Sequence, residues 1–246
     1  MTMDRPDWII PLGSGSKSND DELRILLRSL ERNARPLGRV IVVTDRPPAW
    51  LTRARVLPVP DLPGPDKDRN ILRKLAAAVR AFQVSSFVLS CDDCALMRPL
   101  DPARIPVIFN RRGKADFAPG VDAGRYRIWY DRVYRTLLLA EALGRPLAHN
   151  YEAHVPQLHR DAQALMERLR AVNLAAGGLT AFTLLRILEV ETGGEDQAGW
   201  RSSHEGAERA GAPLDRPFCG YADGGFLNGL RERLFKVFPT PSRFER

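Results

Sequence analysis

The chain has 246 residues, 44% of them hydrophobic, and a formal net charge of +7. No apolar run approaches the roughly 18 residues of a membrane-spanning helix. The first six residues lack the charged and apolar regions of a signal peptide, so we expect a cytoplasmic protein. Its three cysteines do not make a disulfide framework. The basic balance favours binding to phosphates, on a nucleotide or along a nucleic-acid backbone; the alternative is that the arginine content reflects only a GC-rich genome.

The first hundred residues alternate between predicted strands and helices. Strands are expected at 7–12, 39–45, 55–59 and 86–90. Between them, one helix starts with Ser18 or Asn19 as its N-cap, and another covers Lys67–Phe82. This order predicts a parallel α/β sheet flanked by helices.

The second half is predicted to be mainly helical. Helices are expected at about 124–143, 161–173, 179–191 and 225–237, and strands at 106–110 and 218–223. The aromatic residues of the first of these helices, Tyr126, Trp129 and Tyr130, have the spacing of a core-facing stripe. The polar stretch 193–211 is expected to be a mobile loop.

Two adjacent carboxylates, Asp92 and Asp93, follow the apolar strand at 86–90. Open α/β sheets bind their ligands beyond the carboxyl ends of the strands. Mg²⁺ is usually held by one or two carboxylates together with substrate phosphates. We therefore predict a metal and diphosphate site here; the alternative is an Asp-Asp turn that caps the next element.

A small-residue loop follows the first strand, and a polar segment opens the helix at Lys67. The loop Gly13-Ser14-Gly15-Ser16-Lys17 could form an anion-binding nest, although a plain turn is the alternative. The segment contains Lys67 and Asn70. Together with the aspartate pair, these residues predict a pocket for a nucleotide diphosphate and its metal.

A loop histidine, His154, precedes Val155-Pro156 and could act as an acid or base near neutral pH. The structural alternative is a histidine that only packs. Cys91, Cys94, His154 and His159 also have local spacings found in zinc sites. The distance along the chain between the two pairs and the aspartates inside the first pair argue against zinc.

Several motifs, taken in order, resemble a known family. Residues 18–24, Ser-Asn-Asp-Asp-Glu-Leu-Arg, followed by Leu27-Arg28-Ser29, are similar to the opening block of Stealth-type sugar-phosphate transferases and related glycosyltransferase-like proteins of bacteria and phages. The resemblance continues through Ile41–Thr44, Pro48–Leu51, Lys67 with Asn70-Ile71, Lys74-Leu75, Asp92-Asp93, His154-Val155-Pro156 and 238–245. In the family, an asparagine and further acidic residues usually surround the aspartate pair, whereas cysteines flank it here.

The resemblance implies a GT-A-like, Rossmann-like domain over residues 1–246. A nucleotide-sugar-binding core would occupy about 1–120, and a helical acceptor-side portion about 121–246. The implied activity is metal-dependent transfer of a sugar from a nucleotide-sugar donor, expected to be a UDP-sugar, to a hydroxyl acceptor. That acceptor would be a hydroxymethylated pyrimidine base in phage DNA or otherwise a glycan.

Under this hypothesis, each candidate residue has a role. Asp92 and Asp93 would hold Mn²⁺ or Mg²⁺, and the catalytic candidates are Asp93, His154 and Asp223. The cofactor-binding candidates share positions near the predicted strand ends or on the first two helices: Gly13, Ser14, Gly15, Lys17, Arg28, Lys67 and Asn70.

Two alternative functions remain open. One is transfer of a sugar 1-phosphate to a polysaccharide, as in Stealth-type enzymes. The other is a non-catalytic nucleic-acid-binding protein that uses its arginine surface and needs neither metal nor nucleotide sugar.

Overall fold

The computed structural model describes residues 5–64, 66–152, 155–174, 177–189, 193–204, 211 and 213–246, with the side chains of 125 and 224 excluded. The main sheet is built from β1 (Asp7–Pro11), β2 (Val40–Val43), β3 (Arg55–Leu57), β4 (Phe87–Leu89) and β7 (Gln157–His159). Its strand order is β3-β2-β1-β4-β7. The first four strands are parallel, and β7 is antiparallel to β4, so the sheet is mixed but mostly parallel.

Helices cover both faces of this sheet. The helices of the described chain are α1 (Asp21–Asn33), α2 (Lys67–Phe82), α3 (Arg127–Ala142), α4 (Ala162–Arg170), α5 (Ala181–Glu189), α6 (Gln197–Trp200), α7 (Asp223–Gly225) and α8 (Arg231–Val237). Because successive side chains of a strand point to opposite faces, Trp8 and Ile10 pack in the core with α1. Ile9 lies in the opposite core, with α2, α4 and α5.

Two smaller sheets lie beside the main one. They contain β5 (Cys94–Leu96), β6 (Ile108–Phe109), β8 (Glu195–Asp196), β9 (Arg201–His204) and β10 (Phe218–Tyr221). In the first, β10 lies between β5, to which it is antiparallel, and β9, to which it is parallel. The second pairs β6 with β8. The chain after residue 120 therefore contributes strands to all three sheets and is not only helical.

The predicted α/β class and mostly parallel sheet are confirmed. The order strand, helix, strand, strand, helix, strand holds through β4, and α2 has the predicted bounds. Among the described residues, no helix is both long and apolar enough to cross a membrane.

Three local predictions are wrong. The stretch 193–211 contains β8, α6 and β9 in its described part, because these polar segments are held by pairing with β6 and β10. The N-cap of α1 is Asp20, in a left-handed conformation with φ 58°, and neither Ser18 nor Asn19. The last helix begins only at Arg231, because Gly229, with φ 105°, interrupts the helical path.

Candidate functional site

The candidate site lies where the strand order of the main sheet reverses. From β1 the chain proceeds through α1 to β2 and β3 on one side, and α2 then returns it to β4 on the other side of β1. At such a switch point the loops beyond two neighbouring strands leave a crevice that binds ligands. The loop 12–20 follows β1 and the segment 90–93 follows β4, so the two predicted motifs flank one crevice.

The aspartate pair lies just beyond β4 and is held there by a residue of β10. The Tyr221 backbone N–H donates to the Asp93 carbonyl oxygen at 3.0 Å. The Tyr221 hydroxyl donates to the carbonyl oxygen of Asp92 at 3.3 Å. Tyr221 is itself buried. The backbone of the pair is therefore fixed, and both aspartate side chains are only partly exposed.

The surroundings of Asp92 are acidic. Burial, followed by the negative charges of Asp93 and Glu22, raises the pKa of Asp92 to about 7, and Asp20 contributes in the same direction. Glu22 is buried in the first turn of α1. Negative charge is therefore concentrated at the carboxyl end of β4.

Glu22 is a site neighbour that the sequence did not reveal. Its carboxylate accepts hydrogen bonds from the Ser16 hydroxyl, at 3.0 Å, and from the Ser18 hydroxyl. These bonds fasten the glycine-serine loop to α1 beside Asp92. A glutamate in the first turn of a helix does not by itself predict a place in the site, because the proximity of Glu22 to the aspartate pair arises from the fold.

Asp92 and Asp93 suit a hard divalent cation. Two carboxylates that repel each other in a partly buried site are stabilised by a cation, and donor phosphates commonly complete such a coordination sphere. In the described part of the chain, no group of three or more His, Cys, Asp or Glu side chains is arranged to hold a metal by itself. The metal thus remains a prediction in which the donor supplies further oxygen ligands.

The glycine-serine loop is open above the crevice. A Cβ atom added to Gly13 or Gly15 would meet no other protein atom within 4 Å, so the space over the loop is free for a ligand. Ser14 is exposed in the same loop. Lys17 forms an ion pair of 3.0 Å with Asp223, and both side chains are exposed. Two of the predicted residues, distant in sequence, therefore meet at the edge of the crevice.

The remaining predicted binding residues have other contacts. Arg28 donates to Glu245 at 2.7 Å and to the carbonyl oxygen of Phe238 at 2.9 Å, and so joins α1 to the C-terminal segment. Asn70 bonds to the backbone of Leu62 through both amide atoms and holds the loop before α2. Lys67 is exposed at the start of α2.

Lys74 holds the end of β1 in a way that its sequence position did not indicate. Its ammonium group, in a side chain only 2% exposed, lies 2.6 Å from both the Leu12 carbonyl oxygen and a carboxylate oxygen of Asp61. A lysine in an apolar helix face normally extends to solvent. Here it fixes the residue that precedes the glycine-serine loop.

His154 lies outside the described residues, so its predicted role stays a prediction. His159 is fully buried, stacks on Phe87 and lies 2.8 Å from Glu189. Because it pairs with the first residue of β4, the strand separates it from the cysteine at position 91 by on the order of 13 Å. His159 is therefore too far from Cys91 to share a zinc ion with it, in agreement with the sequence argument against zinc.

A cleft of about 770 Å³ is lined in part by β9, the strand that pairs with β10 and thus lies beside the strand of Tyr221. Its walls come from the turn after β6, from the start of α3 and from residues 196–203. The charged and aromatic side chains that line it include Arg111, Arg112, Arg201, Trp129, Tyr130 and Glu152. No single motif predicted this cleft, because its residues come from four separate segments of the chain.

The aromatic stripe of α3 is divided between core and cleft. Val133 and Leu137 are buried, as expected of a core-facing stripe. Tyr126, in contrast, is 47% exposed, and Trp129 and Tyr130 are half-buried at the cleft wall. The interpretation as core is therefore wrong for Tyr126, whereas Trp129 and Tyr130 pack against the core and also line the cleft.

No model of a known protein family matches the chain, and no curated protein matches it.

Proposed function

We propose that the protein is a metal-dependent glycosyltransferase with a GT-A-like fold that uses a nucleotide-sugar donor. The observation that carries this proposal is the position of two motifs at one switch point: Asp92-Asp93 after β4 and Gly13–Lys17 after β1. An acidic pair opposite an open, amide-rich loop suits a nucleoside diphosphate bound with its cation.

Each part of the crevice contributes to donor binding. Open space surrounds the Cβ positions of Gly13 and Gly15, so a phosphate can approach this loop closely and accept hydrogen bonds from its backbone amides. Lys17 offers a positive charge that would move from Asp223 to the diphosphate, because both side chains are exposed. A divalent cation held by Asp92 and Asp93 would supply Lewis-acid neutralisation of the leaving diphosphate.

The proposal is tested by donor hydrolysis and by transfer. The protein is incubated with Mn²⁺, a panel of nucleotide sugars, and hydroxymethylated or plain DNA, and the digested nucleosides are weighed by mass spectrometry. We expect donor breakdown that needs metal and is abolished by Asp92→Asn with Asp93→Asn. Glu232→Gln, which removes an exposed carboxylate of α8, is the matched control and should retain activity. Full activity of the double variant would refute the proposal.

The same assay separates the alternatives. Transfer of a sugar 1-phosphate would release a nucleoside monophosphate, whereas transfer of the sugar releases the diphosphate. A hexose- or pentose-sized mass gain on the modified base would identify DNA as the acceptor. Salt-sensitive DNA binding without any donor hydrolysis would indicate the non-catalytic binding protein.

A further inference from the structure

The cleft beside the crevice combines an aromatic wall with a basic rim. Trp129 and Tyr130 make edge-to-face contacts with the buried ring of Phe117, at centroid distances of 5.5 and 5.0 Å. They also contact each other at 5.6 Å. These contacts fix the orientation of both rings before any ligand binds. A planar ligand would therefore meet a preformed stacking surface.

The basic rim is also held in place. Arg111 and Arg112 lie in a turn whose backbone is bound by the facing segment: Asn150 donates its side-chain amide to the Arg112 carbonyl oxygen at 2.8 Å, and its own backbone N–H to the same oxygen at 3.1 Å. Arg112 donates to the Tyr130 hydroxyl at 2.8 Å, so this guanidinium lies against the aromatic wall. Arg111 pairs with Asp196 and remains 79% exposed.

Glu152 lies at the inner end of the same segment. It lines the cleft yet is only 7% exposed, and one of its carboxylate oxygens accepts a hydrogen bond from the Thr183 backbone N–H at 2.8 Å. The carbonyl oxygen of the preceding residue, Tyr151, accepts a hydrogen bond from the Gln157 side-chain amide at 2.7 Å, and Gln157 pairs with Leu89, the last residue of β4 before the aspartate pair. The inner end of the cleft therefore adjoins the crevice, which is the relation that an acceptor site has to a donor site.

We propose that the cleft is the acceptor subsite, that it takes one unpaired nucleotide of a nucleic-acid strand, and that Glu152 accepts the proton of the acceptor hydroxyl. This inference rests on the proposed glycosyltransferase function. The hydroxyl oxygen bonds to the anomeric carbon of the donor sugar, the bond from that carbon to the diphosphate breaks, and the diphosphate leaves with the electron pair. The hydroxyl proton passes to the Glu152 carboxylate.

The chemistry of the cleft favours a nucleotide over a glycan. Sugars and bases both stack on aromatic rings, but a neutral glycan has no charge for the arginine rim. A strand of nucleic acid has a planar base for Trp129 and Tyr130 and phosphates for Arg111 and Arg112. Burial and the nearby charge of Asp68 also raise the pKa of Glu152 to about 7, a value suited to a general base at neutral pH.

Binding of a nucleic-acid strand to the cleft is tested without donor or metal, so that the result does not depend on transferase activity. Fluorescence anisotropy compares a labelled single-stranded oligonucleotide with an abasic strand of equal length and charge. We expect the protein to bind the base-bearing strand about fivefold more tightly or better, because stacking of a base on the aromatic rings adds to the binding free energy. Trp129→Ala, in the aromatic wall, and Tyr126→Ala, at an exposed ring that also lines the cleft, should abolish this preference. Leu227→Ala, at a side chain 48% exposed outside the cleft, should retain it.

The rim is tested in the same assay. Arg111→Ala with Arg112→Ala should weaken both strands equally and reduce the salt dependence of binding. Arg104→Ala, at a side chain with a similar exposure of 78% outside the cleft, is the matched control. Equal affinity of the wild-type protein for base-bearing and abasic strands would overturn the inference. Displacement of the strand by a neutral oligosaccharide would also overturn it, in favour of a glycan acceptor.

The role of Glu152 is tested by transfer kinetics. Glu152→Gln keeps an oxygen for the Thr183 N–H and should fold normally, but it should lower kcat for transfer by about a hundredfold with unchanged strand affinity. His154→Gln, at the residue that the sequence suggested for this role, is measured in parallel. Loss of transfer in His154→Gln with full transfer in Glu152→Gln would overturn the assignment. Strand binding with neither transfer nor donor hydrolysis would support the cleft as a nucleic-acid site and refute the proposed function.

Discussion

The repulsion around Asp92 predicts that removing its charge stabilises the metal-free protein. A folded-state pKa of about 7 instead of the ordinary 3.8 means that the folded state resists ionisation of this carboxyl group. If the group were fully buried, this difference in pKa would lower the free energy of unfolding by about 4 kcal/mol at pH above 7. Asp92 is only partly buried, so solvent screening leaves on the order of 2 kcal/mol.

The sign of the pH dependence follows from linkage. Between about pH 4 and 7 the folded state binds more protons at Asp92 than the unfolded state does, so the stability of the wild-type protein falls as pH rises through this window. Asp92→Asn removes this penalty. In a chain of this length, about 2 kcal/mol corresponds to a Tm increase of roughly 4–8 °C at pH 8 and to no difference near pH 3.5.

The assay is thermal unfolding with a chelator and with Mn²⁺, at both pH values. Asp223→Asn, which removes an exposed charge paired with Lys17, is the control and should change stability little. Saturating Mn²⁺ should raise the Tm of the wild-type protein and have a smaller effect on Asp92→Asn. An unchanged or lower Tm for Asp92→Asn at pH 8 would refute the argument that the acidic cluster is strained without a cation.

Two ion pairs, each with one buried partner, give further predictions. Lys74→Met should lower the free energy of unfolding by about 3 kcal/mol in urea titrations, because it removes two charge-assisted contacts, to Leu12 and Asp61. Adding Asp61→Asn to Lys74→Met should recover part of the lost unfolding free energy. No recovery would mean that Lys74 and Asp61 are not energetically coupled. Burial alone would raise the pKa of Glu245, but hydrogen bonds from Arg28 and the Ser242 backbone lower it. The stabilisation of the fold by the ionised Glu245 carboxylate is therefore present above pH 4.5 and lost at lower pH. The difference in free energy of unfolding between wild type and Glu245→Gln should shrink on acidification.

Local sequence signals predicted the framework of the fold. β2 and β4 are short runs of buried apolar residues. Such runs, separated by helices, predict a parallel sheet. The start of α2 was also predictable, since Asp66 caps it by accepting a bond from the Arg69 N–H. The position of Asp92-Asp93 at a strand end followed from the same pattern.

Contacts between distant segments could not be predicted in this way. Tyr221 reaches the aspartate pair because β10 lies beside β5, and neither strand has a distinctive pattern of alternation. Glu152 lines the cleft because the segment after α3 turns back onto the Arg111-Arg112 turn. Arg28 was a plausible phosphate ligand by sequence, yet Glu245, a residue more than 200 positions away, binds its guanidinium.

The crevice and the cleft would hold two anionic ligands by opposite means. Around Asp92 and Asp93 the protein supplies negative charge, so a diphosphate can bind there only with a cation. At Arg111 and Arg112 the protein supplies positive charge directly, so a nucleic acid needs no metal. Donor affinity should therefore depend steeply on divalent cation and weakly on monovalent salt, whereas strand affinity should show the reverse. The two dependences can be measured separately, and a shared metal requirement would mean that both ligands occupy one site.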